Sequence, residues 1–235
     1  RSTLEKVKSE LVRSYASNGR YGAGVEIEEV KLPRNRIEIN IEVDEGQSAK
    51  IEKMNIIGNE VFSNEELFKG FELAEGSFFS FLSSNDAYSR EKLKGDIESL
   101  ESFYRDRGYI KFSLESSQVS LSRNKKSIFI TFNISEGKKY SIKDVEVIGD
   151  IPFEKIAYED ITNSLKGQTY SQAQITAIEE YFISIMGNQG YAFAEVSGEP
   201  EINDDSEDVK LIFSITPGNR TYTRKICRKI FSCSK

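Results

Sequence analysis

Apolar residues recur at every second position in three stretches of this chain. Ile37, Ile39, Ile41 and Val43 alternate with polar neighbours. Ile128, Ile130, Phe132 and Ile134 repeat the pattern 91 residues on, and Val209, Leu211, Phe213 and Ile215 repeat it 81 residues later. A period of two marks a strand with one buried face. Upstream of each strand the period lengthens to that of a helix. Leu4, Val7, Leu11 and Tyr15 form one stripe, Leu93, Ile97, Leu100 and Tyr104 a second, and Ile175, Ile178, Phe182 and Ile185 a third. Ser2 with Glu5, and Ser171 with Gln174, have the spacing of a capping box. Gly19, Gly108 and Gly190 stand where each helix should stop, followed closely by Tyr21, Tyr109 and Tyr191.

A shorter helix is predicted before the longer one. Ser63 and Glu66 cap a segment carrying Leu67, Phe68 and Phe71; Ile156, Ile161 and Leu165 occupy a similar place, with Gly167 as a stop. Between the long helix and the alternating strand lies a less apolar strand. Phe112, Leu114, Val119 and Leu121 mark it in one case, Ala192, Ala194 and Val196 in the other. A polar turn, "SRNKK" at 122–126 or "NDDSED" at 203–208, joins it to the alternating strand as a hairpin. The expected unit is β-α-α-β-β, an α+β fold with a three-stranded mixed sheet covered on one face by two helices. Its first strand, Ile51–Ile57 or Ile142–Ile148, must lie parallel to the apolar last strand, leaving the middle strand at an edge.

The unit boundaries carry repeated phrases. "EGQSAKIEKMNIIGN" at 45–59 and "EGKKYSIKDVEVIGD" at 136–150 open on Glu-Gly and close on Ile-Gly before Asn or Asp. A third phrase opens at Pro217-Gly218 and keeps register through Thr223 and Ile226, but Arg228 and Ile230 then fall where Val147 and Gly149 would be. The expected domains are 1–49, the helix and hairpin that end a unit; 50–139 and 140–221, two complete units; and 222–235, the first residues of another unit. Both cysteines, Cys227 and Cys233, lie in that last stretch. It reads as a cloning remnant or altered terminus with a frayed end, where a Cys227–Cys233 disulfide is the alternative.

Composition narrows the function. The chain has 235 residues, 38% hydrophobic and 30% charged, which suits small domains with a high surface-to-volume ratio. A net charge of −6 without a basic stripe argues against nucleic acid as a partner. There is no histidine, which removes the commonest general base and metal ligand. With no cysteine in the body and no glycine-rich phosphate loop, the expectation is a protein that is not an enzyme and needs no cofactor or metal. No apolar run reaches the ~20 residues of a membrane helix, so the expectation is a soluble fragment or mature segment.

The β-α-α-β-β unit, opening on an "IxxMxIxGN" phrase and closing on "EG", resembles the polypeptide-transport-associated (POTRA) domain. "LPRNR" at 32–36, "YRDRGY" at 104–109, "SSQVSLSRNKK" at 116–126, "NISEG" at 133–137 and "PEIND" at 200–204 resemble the POTRA domains of outer-membrane β-barrel assembly factors. The resemblance covers residues 1 to about 226. It implies tandem POTRA domains, from the end of the second through the complete third and fourth, in the periplasm of a Gram-negative bacterium. It also implies a non-catalytic scaffold that binds accessory lipoproteins and unfolded outer-membrane proteins by strand addition. "LPRNR" and "SSQVSL" argue against a two-partner secretion transporter or the chloroplast import barrel. No ladder of membrane-barrel strands is present, so this segment is expected not to span a membrane.

Edge strands offer unpaired N–H and C=O groups to an added strand. "ESSQVSL" at 115–121 is the candidate edge, with Glu115, Ser117, Gln118, Val119, Ser120 and Leu121. The resemblance implies that a β-propeller lipoprotein docks there, at Glu115, Val119 and Leu121 among others, while other assembly lipoproteins use domains outside this chain. The equivalent strand from Tyr191 to Ser197, with Phe193 and Glu195, is the expected second edge, for unfolded precursors. "NDDSED" lacks the glycine and distal glutamate of a calcium loop and reads as a solvated turn, as does "RNKK". Neighbouring carboxylates such as Glu65–Glu66 and Glu179–Glu180 diverge by ~100° on a helix and cannot form an acid–base pair. "FFSFL" at 78–82 reads as an apolar loop packed on a core.

Overall fold

The computed structural model describes residues 2–75, 87–152 and 156–222. "FFSFL", the cysteine-bearing tail and the side chain of Ser2 lie outside the described residues. The chain divides into two compact units, Arg1–Tyr104 with Lys111–Gly137, and Arg105–Ile110 with Lys138–Lys235.

The first unit opens with helix α1 (Ser2–Ser17) and the antiparallel hairpin β1 (Gly24–Leu32) and β2 (Arg36–Asp44). It continues through β3 (Lys50–Ile57), α2 (Asn64–Phe68), α3 (Arg90–Arg105), β4 (Ser113–Leu121) and β5 (Ser127–Ser135). The last three strands form a sheet in the order β3-β5-β4, with β3 parallel and β4 antiparallel to β5. The alternation in β5 therefore marks the central strand. Ile128, Ile130 and Phe132 are at most 1% exposed. Each such side chain removed from water contributes ~1.5–3 kcal/mol. The stripe of α3 is buried at Leu93, Leu100 and Tyr104, and the Tyr104 ring stacks on Phe112 at 4.3 Å. Ser63 caps α2 by accepting from Glu66 N, as its spacing predicts.

The second unit repeats this order with β6 (Ser141–Gly149), α4 (Ile156–Leu165), α5 (Gln172–Asn188), β7 (Glu195–Asn203) and β8 (Asp208–Thr216). Its sheet runs β6-β8-β7, again parallel then antiparallel. The core is Ile142, Leu165, Tyr170, Ile175, Phe182, Met186 and the inward face of β8, with the Phe182 and Phe213 rings edge to face at 5.7 Å. Ser171 caps α5 by accepting from Gln174 N. The register slips once in each parallel pair, after Ile51 in β3 and after Ile142 in β6, positions one repeat apart. Gly19, Gly108 and Gly190 all close their helices at positive φ.

Two expectations are corrected. The alternating face of β2 is not buried: Ile37, Ile39 and Ile41 are 60%, 47% and 46% exposed. Among the described residues β1 is the only strand paired with β2 and no second helix accompanies α1, so no described element covers that face. The second expected edge strand also begins later than its apolar pattern suggested. β7 starts at Glu195, and Tyr191 and Phe193 precede it. Tyr191 N is spent on Met186 O at the end of α5, which holds this segment against the helix terminus instead of the sheet. Phe193 is 75% exposed.

Candidate functional site: an open sheet edge beside a groove

Among the described residues β4 pairs only with β5, so its outer side is a sheet edge there. Ser122 N donates to Ser127 O at 2.9 Å, just beyond the last pair of the ladder. Alternation from that bond turns the backbone groups of Ser117, Val119 and Leu121 away from β5. Gln118 and Ser120 instead face β5 through their backbones and carry exposed side chains. The register shift between Leu114 and Ser116 leaves Glu115 unpaired in the ladder, and the strand bends there. Beside it, Asn133 Nδ2 donates to Ser116 Oγ at 2.6 Å.

The side chains of Ser117, Val119 and Leu121 line one wall of a groove. Val119 and Leu121 are each 38% exposed. α3 also lines the groove, through Arg90, Glu91, Leu93, Lys94 and Ile97, as do Arg13, Ala16 and Ser17 of α1. Tyr21 and Tyr88 complete it, their ring centroids 6.5 Å apart. Burial pushes both phenols above their ordinary pKa, more than the Arg90 charge pulls them down. Tyr88 is placed by the bridge between Lys50 and Ala87, and Tyr21 by the turn whose Gly19 O accepts from Ala49 N at 2.8 Å.

The edge residues Glu115 to Leu121 were legible as a strand between an amphipathic helix and a hairpin. The groove's other contributors were not. Arg13, Ala16, Tyr21 and Tyr88 lie far from β4 in sequence and belong to no shared phrase. Only the aromatic that follows each helix-ending glycine hinted at Tyr21.

The acidic turn does not gather around a vacant centre. Asn203 Oδ1 accepts from Asp205 N, Asp204 accepts from the Tyr140 hydroxyl, and Glu207 and Asp208 pair with Lys138 and Lys143. Contact with Lys143 holds the Asp208 carboxyl below its usual range. In "RNKK", Asn124 Oδ1 accepts from Lys126 N and closes the β4–β5 turn. Among the described residues no three Asp, Glu, His or Cys side chains converge as metal ligands. No helix there is long and apolar enough to cross a membrane.

Comparison with known proteins adds the family. The POTRA family model, described as a surface antigen variable number repeat, matches residues 49–137 and 140–218. The outer membrane protein assembly factor BamA of Neisseria meningitidis is 29% identical over 228 residues, covering 96% of this chain and 28% of its own length. BamA of Buchnera aphidicola is 29% identical over 213 residues, covering 90% of this chain and 34% of its own. This chain thus spans about a third of these curated relatives. The crystal structure of Haemophilus influenzae BamA POTRA3-5 superposes with a TM-score of 0.66 at 21% identity, covering 80% of this chain and 73% of the other. Two matched segments, each folded as β-α-α-β-β around a mixed three-stranded sheet, establish that the chain belongs to the POTRA family.

Proposed function

We propose that this chain is a periplasmic scaffold segment of an outer-membrane protein assembly factor. It carries no catalytic role and takes up extended strands from its partners along the edge of β4. The observation that carries this reading is the coincidence of outward backbone groups on Ser117, Val119 and Leu121 with a groove for their side chains. An added strand gains backbone hydrogen bonds from the edge, and its alternate side chains fill the groove. Residues 50–139 would receive the β-propeller lipoprotein, with Glu115, Gln118 and Ser120 at the rim of the contact. Unfolded outer-membrane proteins would use the same chemistry. In this reading residues 1–49 are the closing part of one POTRA domain and 222–235 the opening of another. The names of the curated relatives support the assembly role.

The test is capture by the propeller lipoprotein. Leu121→Arg places a charge on the apolar wall and should reduce capture at least ~tenfold, the loss of one buried contact of about 1.4 kcal/mol. Its circular dichroism should match that of the unaltered chain, because Leu121 is exposed. Undiminished capture by a folded Leu121→Arg protein rejects this edge as the docking site.

A further inference from the structure

The two units share the β-α-α-β-β order, yet they differ at three corresponding positions, two on the edge strand and one on the long helix. Ser117 faces Phe132 across the ladder, and Gly198 faces Phe213, one repeat later. Val119 faces Ile130 as Pro200 faces Leu211. Counted back from the shared Gly-Tyr pairs at 108–109 and 190–191, Ile97 in α3 corresponds to Glu179 in α5.

Each difference acts on the outer edge. Gly198 N donates to Glu179 Oε1 at 2.6 Å, so this amide points away from β8 and is already satisfied. The ladder from Glu195 to Asn203 has no register shift, so position 200 has the same orientation as 198. Its residue is proline, which has no N–H to offer. Gly198 makes the first contact geometrically feasible. A Cβ there would come within 2.7 Å of Ile175 Cγ2 and 2.8 Å of Phe213 Cε1. Without it, α5 lies close enough for a glutamate to reach round to the edge. At β4 the same three places hold Ser117, Val119 and the apolar Ile97, which lines the open groove.

We propose that Glu179 and Pro200 close the outer edge of β7 to strand addition and so direct an extended partner to β4. The closure of β7 stands on its own geometry; the direction toward β4 rests on the strand-addition reading above. Two successive outward donors are removed by different means, one occupied by a carboxylate and one eliminated covalently. That is how natural sheets protect an edge that must not pair. On this proposal the edge expected around Glu195 and Ser197 would not take a precursor strand.

The probe is a synthetic peptide alternating valine and threonine with lysines at its ends, and the readout is amide hydrogen exchange. In the unaltered chain the peptide should slow exchange at Val119 and Leu121 and leave Val196 and Ile202 unchanged. The exchange Glu179→Ile with Pro200→Val should open β7, giving about tenfold greater peptide protection at Val196 and Ile202, as expected for regaining two edge hydrogen bonds. The reverse change, Ile97→Glu, should lower protection at Val119. Equal protection of both edges in the unaltered chain overturns the closure, and so does a folded double variant in which β7 gains nothing. If the double variant does not fold, Glu179→Ala, which removes the acceptor, replaces it, with Gly198 exchange in the absence of peptide as the readout. An unchanged rate there removes Glu179 from the account. A peptide that ignores β4 in the unaltered chain but protects β7 in the variant sinks the scaffold reading and leaves the closure standing.

Discussion

The Tyr104 hydroxyl donates to Glu136 Oε1 at 2.7 Å inside the first unit. The same carboxylate accepts from Glu60 N at 3.0 Å and Val61 N at 3.1 Å, and Glu136 is only 7% exposed. One side chain after the end of β5 thus ties down the turn leaving β3 and the last turn of α3. Glu136→Ala leaves two backbone donors and a phenol without their acceptor. The expected loss is about 3 kcal/mol, in the range for buried donors left unsatisfied. Chemical denaturation followed by circular dichroism measures it, and a loss below half of that would mean water replaces the carboxylate.

This contact shows what the sequence could and could not tell. The Glu-Gly phrase was visible as a repeat, and glycine at 137 announced a turn. That Glu136 is the buried partner of Tyr104 was not visible, because the two are 32 residues apart and glutamate is ordinarily a surface residue. The third phrase has Pro217 in that place, so the repeat alone gave no reason to favour glutamate. Strand order, by contrast, was legible in detail. Two of the three alternating stretches, β5 and β8, are the central strands, and with the last two strands of a unit read as a hairpin the first was expected parallel beside the central one. The exposed face of β2 was misjudged because period two reports which side chains share a face, and another element must supply the cover.

Asp96 supplies a pH test. It is 1% exposed, and its Oδ1 and Oδ2 accept from Glu72 N at 2.6 Å and Leu73 N at 3.1 Å. Burial raises its pKa above the ordinary 3.8, more than those two donors lower it. The folded chain therefore binds this proton more tightly than the unfolded chain. Its contribution to stability rises as pH falls from above the folded midpoint to the unfolded one, and is constant below both. Carbon-detected NMR titration of the Asp96 carboxyl should give a midpoint above 3.8. A midpoint below that value would reverse the sign. It would also show that the two hydrogen bonds outweigh desolvation.

Ile39 and Ile130 occupy the same place in successive repeats, yet Ile39 is 47% exposed and Ile130 is 1% exposed. Ile39→Thr should change stability by no more than ~0.5 kcal/mol, as surface substitutions do. Ile130→Ala should cost about 2–5 kcal/mol. Urea unfolding of both variants compares them directly. Equal costs would mean the β2 face is covered in solution.

Gly58 ends β3 at a φ of +96°, and a Cβ there would collide with the carbonyl oxygen of Ile134. Gly58→Ala must therefore both strain the backbone and push apart β3 and the end of β5. The expected cost exceeds the ~1 kcal/mol of an ordinary glycine substitution. Thermal unfolding should show a lowered midpoint for the first unit. An unshifted midpoint would mean the strand ends separate without penalty.

The parallel pairing of β3 with β5, and of β6 with β8, has a mechanical consequence. The chain enters a sheet at Lys50 beside Ser127 and leaves at Ser135, past the far end of the same pair. It does so again between Ser141 and Thr216. Tension applied at those entry and exit points runs along the two strands in opposite directions. It loads their shared row of hydrogen bonds in shear, all at once, whereas a hairpin pulled from its open end gives way one bond at a time. Each sheet therefore keeps its register under a pull along the chain.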